Sequence, residues 1–91
     1  DAGITPPILL YKVEPEYSDE ARKAKHQGIV QLEIIIDANG NVERITVVKS
    51  MGMGLDEKSV EAVRRWKFQP ARKDGKAVAA RARVDVSFRL L

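Results

Sequence analysis

Apolar residues between positions 55 and 68 recur at the spacing of an α-helix. Leu55 opens a series of apolar or small residues on one face, while charged residues occupy the other face. Asp56 is expected to be the N-cap, because a carboxylate can accept hydrogen bonds from the free amides of a first helical turn. Pro70 disfavours a helical backbone at the residue before it, so the helix is predicted to end by Phe68.

A second, shorter helix is predicted near the start of the chain. Ser18 is a typical N-cap, and a helix from Asp19 to about Gln27 would have acidic residues in its first turn and basic residues near its end. Gly28 is the expected stop. Only small side chains lie on its inward stripe, so this helix can approach a sheet closely.

Alternating side chains predict a β-hairpin after this helix, with a clear first strand and a less regular return strand. The first strand is 29–37, and the return strand is 42–49, with the dipeptide Asn39-Gly40 between them as a strong turn signal. Val42 is out of phase with the apolar residues that follow it. A β-bulge near Glu43 and Arg44 would bring it into phase.

The last strand is predicted from Val78 to Leu90, where apolar and polar residues alternate almost without error. A right-handed crossover through the main helix would place this strand beside the first strand of the hairpin. The predicted fold is therefore α+β with topology α-β-β-α-β. It has a three-stranded antiparallel sheet in the order 2-1-3, with two helices on its apolar face, and the last strand forms an edge.

Residues 1–13 are predicted to be the end of a linker and an extended lead-in, and residues 14–91 the folded domain. The first seven residues contain Gly and end in Pro-Pro. The chain begins with Asp rather than Met, so we expect it to be either a domain of a longer protein or a processed product.

Composition excludes several classes of function. The 91 residues include no cysteine and one histidine, His26, so neither a disulfide framework nor a metal site is expected. No run of about 20 apolar residues is present. No nucleophile–histidine–acid pattern, phosphate-binding glycine loop or pair of carboxylates is recognisable, so we expect no enzymatic activity and no cofactor. The net charge of +3 combines many charges of both signs.

From about Pro15 to Phe88 the chain resembles the C-terminal domain of TonB energy transducers. The resemblance depends on several short motifs in a fixed order, of which the segment Trp66-x-Phe68-x-Pro70-Ala71 after a helix is the most specific. The other motifs are Pro15-x-Tyr17, Gly28-x-Val30, Ile36-Asp37-x-x-Gly40-x-Val42, Leu55-Asp56, Gly75 and Val84-x-Val86-x-Phe88. The family commonly has Tyr-Pro before the first helix, whereas here Tyr17 precedes a serine.

The resemblance implies a periplasmic domain tethered to the inner membrane by a segment outside this sequence. In that family, inner-membrane motor proteins act through the missing N-terminal part. The domain binds a short segment, the TonB box, of an outer-membrane receptor and transmits force to it. Binding is by addition of a strand to the edge of the sheet, which agrees with the edge that the pattern predicts.

We therefore predict two groups of partner-binding residues. The first is the part of the last strand that would accept the partner, namely Arg83, Val84, Asp85, Val86 and Ser87. The second is a lip beside it in the lead-in, namely Glu14, Pro15, Glu16 and Tyr17.

The pattern alone leaves other interpretations of the last strand open. It can be a plain edge kept soluble by Arg81, Arg83 and Arg89, or it can pair with itself in a homodimer. The basic residues also allow an assembly or cell-envelope-binding domain of another machine, with peptidoglycan or anionic lipid as ligand. Aromatic residues are not interleaved with these cations, so no specific nucleic-acid binding is expected.

Overall fold

The fold is built on a three-stranded antiparallel sheet with helices on one face. The computed structural model describes residues 3–90. Its elements are, in chain order, β1 (Ile4–Thr5), β2 (Ile8–Tyr11), α1 (Asp19–Lys23), β3 (Gly28–Ile36), β4 (Val42–Lys49), α2 (Leu55–Val63), β5 (Lys67–Gln69), β6 (Ala71–Lys73), β7 (Lys76–Val78) and β8 (Ala80–Phe88). The main sheet has the order β4-β3-β8, so the predicted α+β class and strand order 2-1-3 are confirmed.

The hairpin forms as the sequence predicts. Asp37 accepts hydrogen bonds on its carboxylate from the amides of Asn39 and Asn41, which fixes the turn. The bulge is also where it was expected. Ile35 pairs with Arg44 and Ile36 with Val42, so Glu43 is the extra residue, and Val42 faces the core side of the sheet.

The core lies between the even-numbered residues of β3 and the two helices. Val30, Leu32, Ile34 and Ile36 are fully buried, and burying each of these side chains contributes about 1.5–3 kcal/mol to stability. They form one cluster with residues of both helices, namely Ala21, Leu55 and Val63. The opposite face of the sheet remains open to solvent.

The first helix is shorter than predicted. Ser18 is its N-cap, as expected, and its hydroxyl accepts a hydrogen bond from the amide of Ala21. The helix ends at Lys23 rather than near Gln27. Lys25 adopts a left-handed conformation (φ 53°), and the amide of His26 donates back to Ala21, which closes the helix. The stop at Gly28 was therefore wrong, since that residue already belongs to β3.

The predicted N-cap of the second helix was wrong, and the helix ends earlier than its predicted limit. Its N-cap is Gly54, in a left-handed conformation, while Asp56 lies in the first turn and accepts a hydrogen bond from the amide of Met51. The helix ends at Val63, five residues before the predicted limit of Phe68. The amide of Trp66 donates to the carbonyl of Val63, which tightens the last turn before the chain becomes extended.

Two small sheets extend the molecule beyond the main one. β2 pairs with β5, and β1-β6-β7 form a three-stranded sheet whose β6–β7 turn is the predicted Asp74-Gly75. The lead-in is therefore paired over residues 4–5 and 8–11. The boundary between linker and domain at residue 13 stays a prediction, and residues 1 and 2 of the linker, like residue 91, lie outside the described residues.

Candidate strand-addition site

β8 has one unpaired edge. Across residues 3–90 it pairs with β3 over its full length, from Ala80 to Phe88, without a shift in register, and it has no other strand partner. An edge of this kind presents unpaired N–H and C=O groups to which another extended chain can bind.

Strand geometry identifies the residues whose backbone groups face outward. The amide of Asp37 donates to the carbonyl of Asn41, 2.8 Å away, so its backbone groups point towards β4. Because successive residues of a strand direct these groups to opposite sides, the even-numbered residues of β3 point towards β8. Their partners in β8 are also even-numbered. The outward N–H and C=O groups are consequently those of the odd-numbered residues, namely Arg81, Arg83, Asp85 and Ser87.

The other edge of the sheet is less regular. β4 contains two register shifts against β3, with the extra residues Glu43 and Val48. Bulges interrupt the hydrogen-bonding ladder and bend a strand, which makes an edge a poorer template for another chain. β8 is therefore the better of the two edges for strand addition.

The side chains of β8 alternate between the two faces of the sheet. Arg83, Asp85 and Ser87 are exposed on the open face, whereas Val84 is half-buried and Val86 is buried on the helix face. The structure thus places the five residues of the predicted acceptor strand along one continuous edge. Whether they bind a partner stays a prediction.

Tyr17 is the lip residue that the structure brings to β8. Its ring packs edge-on against the ring of Phe88, with 5.4 Å between centroids. Its hydroxyl donates to the carbonyl of His26. Tyr17 therefore covers the buried, C-terminal end of β8.

The other lip residues face the second helix. Glu14, Pro15 and Glu16 line a groove together with Lys58 and other residues of α2. The structure brings these three together with α2. The role of the whole lip, including Tyr17, stays a prediction.

Two residues outside the predicted acceptor strand belong to the same surface. Arg81 continues the outward series at its start, and Glu33 of β3 lies directly opposite Arg83. The alternation of polar residues in the last strand points to Arg81. Glu33 carries no such signal, because its position depends on a register between strands that are about 50 residues apart.

The loop that enters α2 is held by residues on either side of α1. The Ser18 hydroxyl donates to the carbonyl of Met53, and His26 Nε2 lies 2.8 Å from the carbonyl oxygen of Met51. Since a carbonyl only accepts, this nitrogen carries the proton. The lone histidine therefore has a structural contact that the sequence does not reveal.

Residues 3–90 contain no group of three or more His, Asp or Glu side chains that could hold a metal ion. No helix in the described part of the chain is long and apolar enough to cross a membrane.

Comparisons with known proteins point to one family. The sequence profile of the Gram-negative bacterial TonB protein C-terminal family matches residues 13–90. The chain is 37% identical over 86 residues to Protein TonB of Vibrio cholerae, which covers 93% of this chain and 35% of that protein. It is 42% identical over 77 residues to Protein TonB of Xanthomonas campestris, which covers 84% of this chain and 34% of that protein. The chain thus spans about a third of the length of these curated relatives.

A solved structure has the same fold. The solution NMR structure of the Pseudomonas aeruginosa TonB CTD superimposes with a TM-score of 0.72 at 27% sequence identity. The match covers 99% of this chain and 89% of that one.

Proposed function

The chain belongs to the Gram-negative bacterial TonB protein C-terminal family, and from this membership we propose that it is the receptor-binding module of a periplasmic energy transducer. In this role it binds the TonB box of an outer-membrane receptor and passes force to it. A segment outside this sequence tethers it to the inner membrane, where motor proteins supply the energy. The module itself performs no catalytic step.

The observation that carries the proposal is the free, unbulged edge of β8. Its register against β3 is continuous over nine residue pairs, and the backbone groups of every second residue face outward. Main-chain pairing supplies affinity with little demand on sequence, which suits a module that must bind and release several receptors. The proposed acceptor residues are Arg83–Ser87, and the proposed lip is Glu14–Tyr17.

A titration tests the proposal. The ¹⁵N-labelled domain is titrated with a synthetic peptide of a receptor TonB box, and a peptide of the same composition in scrambled order is the control. We expect amide shifts to concentrate on residues 81–87 and around Tyr17. Shifts confined to β4 or α2, or no shifts at millimolar peptide, would contradict the proposal.

Two proline variants separate loss of binding from loss of folding. The amide of Asp85 faces outward, so Asp85→Pro removes a donor needed by the partner and none needed by β3. The amide of Val84 faces β3, so Val84→Pro breaks the ladder within the domain. We expect Asp85→Pro to keep a folded spectrum and lose binding, and Val84→Pro to lose folding. Unchanged binding by folded Asp85→Pro would overturn the strand-addition mode.

The same edge supports a second candidate, a homodimer. Two copies of β8 can pair antiparallel about a twofold axis, and this would occupy the site that a receptor needs. Sedimentation at increasing protein concentration tests it. A dimer that Asp85→Pro dissolves would favour self-pairing, whereas a monomer at all concentrations would exclude it.

A further inference from the structure

Two arginines on the open face of the sheet share one carboxylate. Arg83 lies directly opposite Glu33, and Arg81 is the next residue of β8 on the same face. The Nε atom of Arg83 is 3.8 Å from one carboxylate oxygen of Glu33, and the Nε atom of Arg81 is 3.9 Å from the other. These distances are too long for hydrogen bonds, so Glu33 attracts both arginines without satisfying their donors. Two cations and one anion give the Arg81–Arg83 part of the edge a net positive charge, and the carboxylate of Asp85, the next residue of β8 on the open face, limits this charge to the two arginines.

The two guanidinium groups are accessible to a partner. The Arg81 and Arg83 side chains are 71% and 67% exposed, while Glu33 is only 31% exposed. Both arginines lie on the outermost strand, and their backbone groups are among those that face outward. An incoming strand would therefore lie next to the donors of both side chains.

The helix face of the same edge is different in character. Ala80, Ala82 and Val84 are half-buried apolar residues with small or short side chains. Val86 and Phe88, by contrast, are already buried. The first three form an apolar shelf that a strand added to β8 would cover.

We propose that Arg81, Arg83 and Glu33 form a charge-selection site, which makes the β8 edge prefer an incoming strand with a carboxylate opposite either arginine and apolar side chains over the shelf. This inference rests on the proposed function, since it concerns the segment that the edge accepts.

The geometry of a sheet explains both preferences. A residue directly opposite Arg81 or Arg83 puts its side chain on the open face, with its Cβ atom about 5 Å from that of the arginine. A carboxylate there can accept the donors that Glu33 leaves unsatisfied. The neighbouring residues of the incoming strand point to the helix face and cover the shelf. Glu33 competes with this incoming carboxylate for both arginines. It therefore determines how strongly the site prefers a strand that carries a carboxylate.

Two peptides that differ in one group test the preference. Both are capped nine-residue peptides of alternating Thr and Val, and the central Thr is replaced by Asp in one and by Asn in the other. Each peptide can pair with β8 in either of two registers, two residues apart, which place this central group opposite Arg81 or opposite Arg83. Dissociation constants come from amide shifts of the ¹⁵N-labelled 91-residue chain at low salt.

We expect the Asp peptide to bind about 2- to 5-fold more tightly than the Asn peptide. The ratio of the Asn-peptide to the Asp-peptide dissociation constant should fall to about 1 in the double variant Arg81→Gln/Arg83→Gln. It should rise in Glu33→Gln. Glu57→Gln is the matched control, because it removes the same charge from an exposed residue of α2 and should leave the ratio unchanged. Thermal unfolding of each variant establishes that it is folded.

Each outcome decides a different question. The charge-selection site would be overturned if both peptides bound with equal affinity and changed the amide chemical shifts of β8. It would also be overturned if the ratio of the two dissociation constants stayed the same in the double variant. Both outcomes would leave the proposed function standing. If neither peptide changed the amide chemical shift of any residue of β8, both proposals would be contradicted.

Discussion

The indole nitrogen of Trp66 donates a hydrogen bond to the main-chain carbonyl of Val13, with 2.9 Å between donor and acceptor. Trp66 is only 3% exposed, so this bond ties the lead-in segment to the core just after α2. The ammonium group of Lys12 lies 5.8 Å from the centre of the same ring. A force applied from the N-terminal side would meet this junction before it reached the main sheet.

The first prediction concerns this bond. Trp66→Phe keeps an aromatic ring in the core but removes the donor, and it should lower the free energy of unfolding by about 1–2 kcal/mol. Urea denaturation measures this loss, and hydrogen exchange should become faster in residues 8–13. Tyr11→Phe is the control, because Tyr11 is exposed and its replacement should change stability by less than about 0.5 kcal/mol. Equal stabilities of the Trp66 variant and the parent protein would show that the bond contributes nothing.

The second prediction compares two glycines that share a left-handed backbone. Gly40 has φ 87°, and a Cβ atom there would lie 1.9 Å from the carbonyl oxygen of Phe68; Gly75 has φ 82° and open space around it. Gly75→Ala should cost about 1 kcal/mol of backbone strain. Gly40→Ala should cost about 3 kcal/mol or more, because the clash is added to that strain.

Chemical denaturation of both variants measures the difference. The amide of Phe68 donates to the carbonyl of Gly40 at 2.9 Å, so Gly40→Ala should also disturb the pairing of β5. Similar losses in the two variants would mean that the close approach of the hairpin to β5 is not a constraint.

The third prediction concerns pH and Asp56. Burial acts to raise the pKa of its carboxyl, but hydrogen bonds from the Ser50 hydroxyl and from the amides of Met51 and Gly52 outweigh burial and hold the pKa below its ordinary value of 3.8. A lowered pKa in the folded state means that the ionised group stabilises the fold above its unfolded pKa. This contribution is lost as the pH falls through the folded pKa.

Asp56→Asn should therefore have a lower free energy of unfolding than the parent protein at neutral pH. This difference in free energy should become smaller below about pH 4. Urea denaturation at several pH values measures it. Asp19→Asn, in the first turn of α1, is the control for losing an acid near a helix start. A gap for Asp56→Asn that does not change with pH would contradict the assignment.

The central sheet was predictable because its signals are local and strong. The even-numbered residues of β3 are all apolar from Val30 to Ile36, the Asn39-Gly40 turn fixes the hairpin, and the phase error at Val42 reveals the bulge. The family resemblance and the alternation of the last strand led to the same edge. The comparisons confirm the family, and the strand order confirms the fold.

The small sheets were not predictable for a physical reason. β2 and β5 have four and three residues, and they pair across almost 60 positions of the chain. Such pairing is made by backbone groups, which leave no pattern in the sequence. The end of α2 at Val63 was also not predictable from the sequence. Apolar residues continue at helical spacing to Trp66, although the chain has already turned towards β5.

The acceptor edge was only partly predictable. The alternation of the last strand predicts which residues lie on its polar face, but it does not decide which backbone groups face outward. That direction, and the contribution of Glu33, depend on the register with β3. The position of Glu14–Glu16 against α2 depends on how the lead-in crosses the helix. Neither relationship has a signature in one sequence.

The most direct test of strand addition is amide hydrogen exchange of β8 with and without a receptor TonB-box peptide. In the free domain, the amides of Val84 and Val86 should exchange slowly, and those of Arg83 and Asp85 should exchange quickly. With peptide bound at saturation, the account predicts that Arg83 and Asp85 become slow as well, so that the alternation disappears. Unchanged fast exchange at Arg83 and Asp85 in the saturated complex, or new protection in β4 instead, would contradict it.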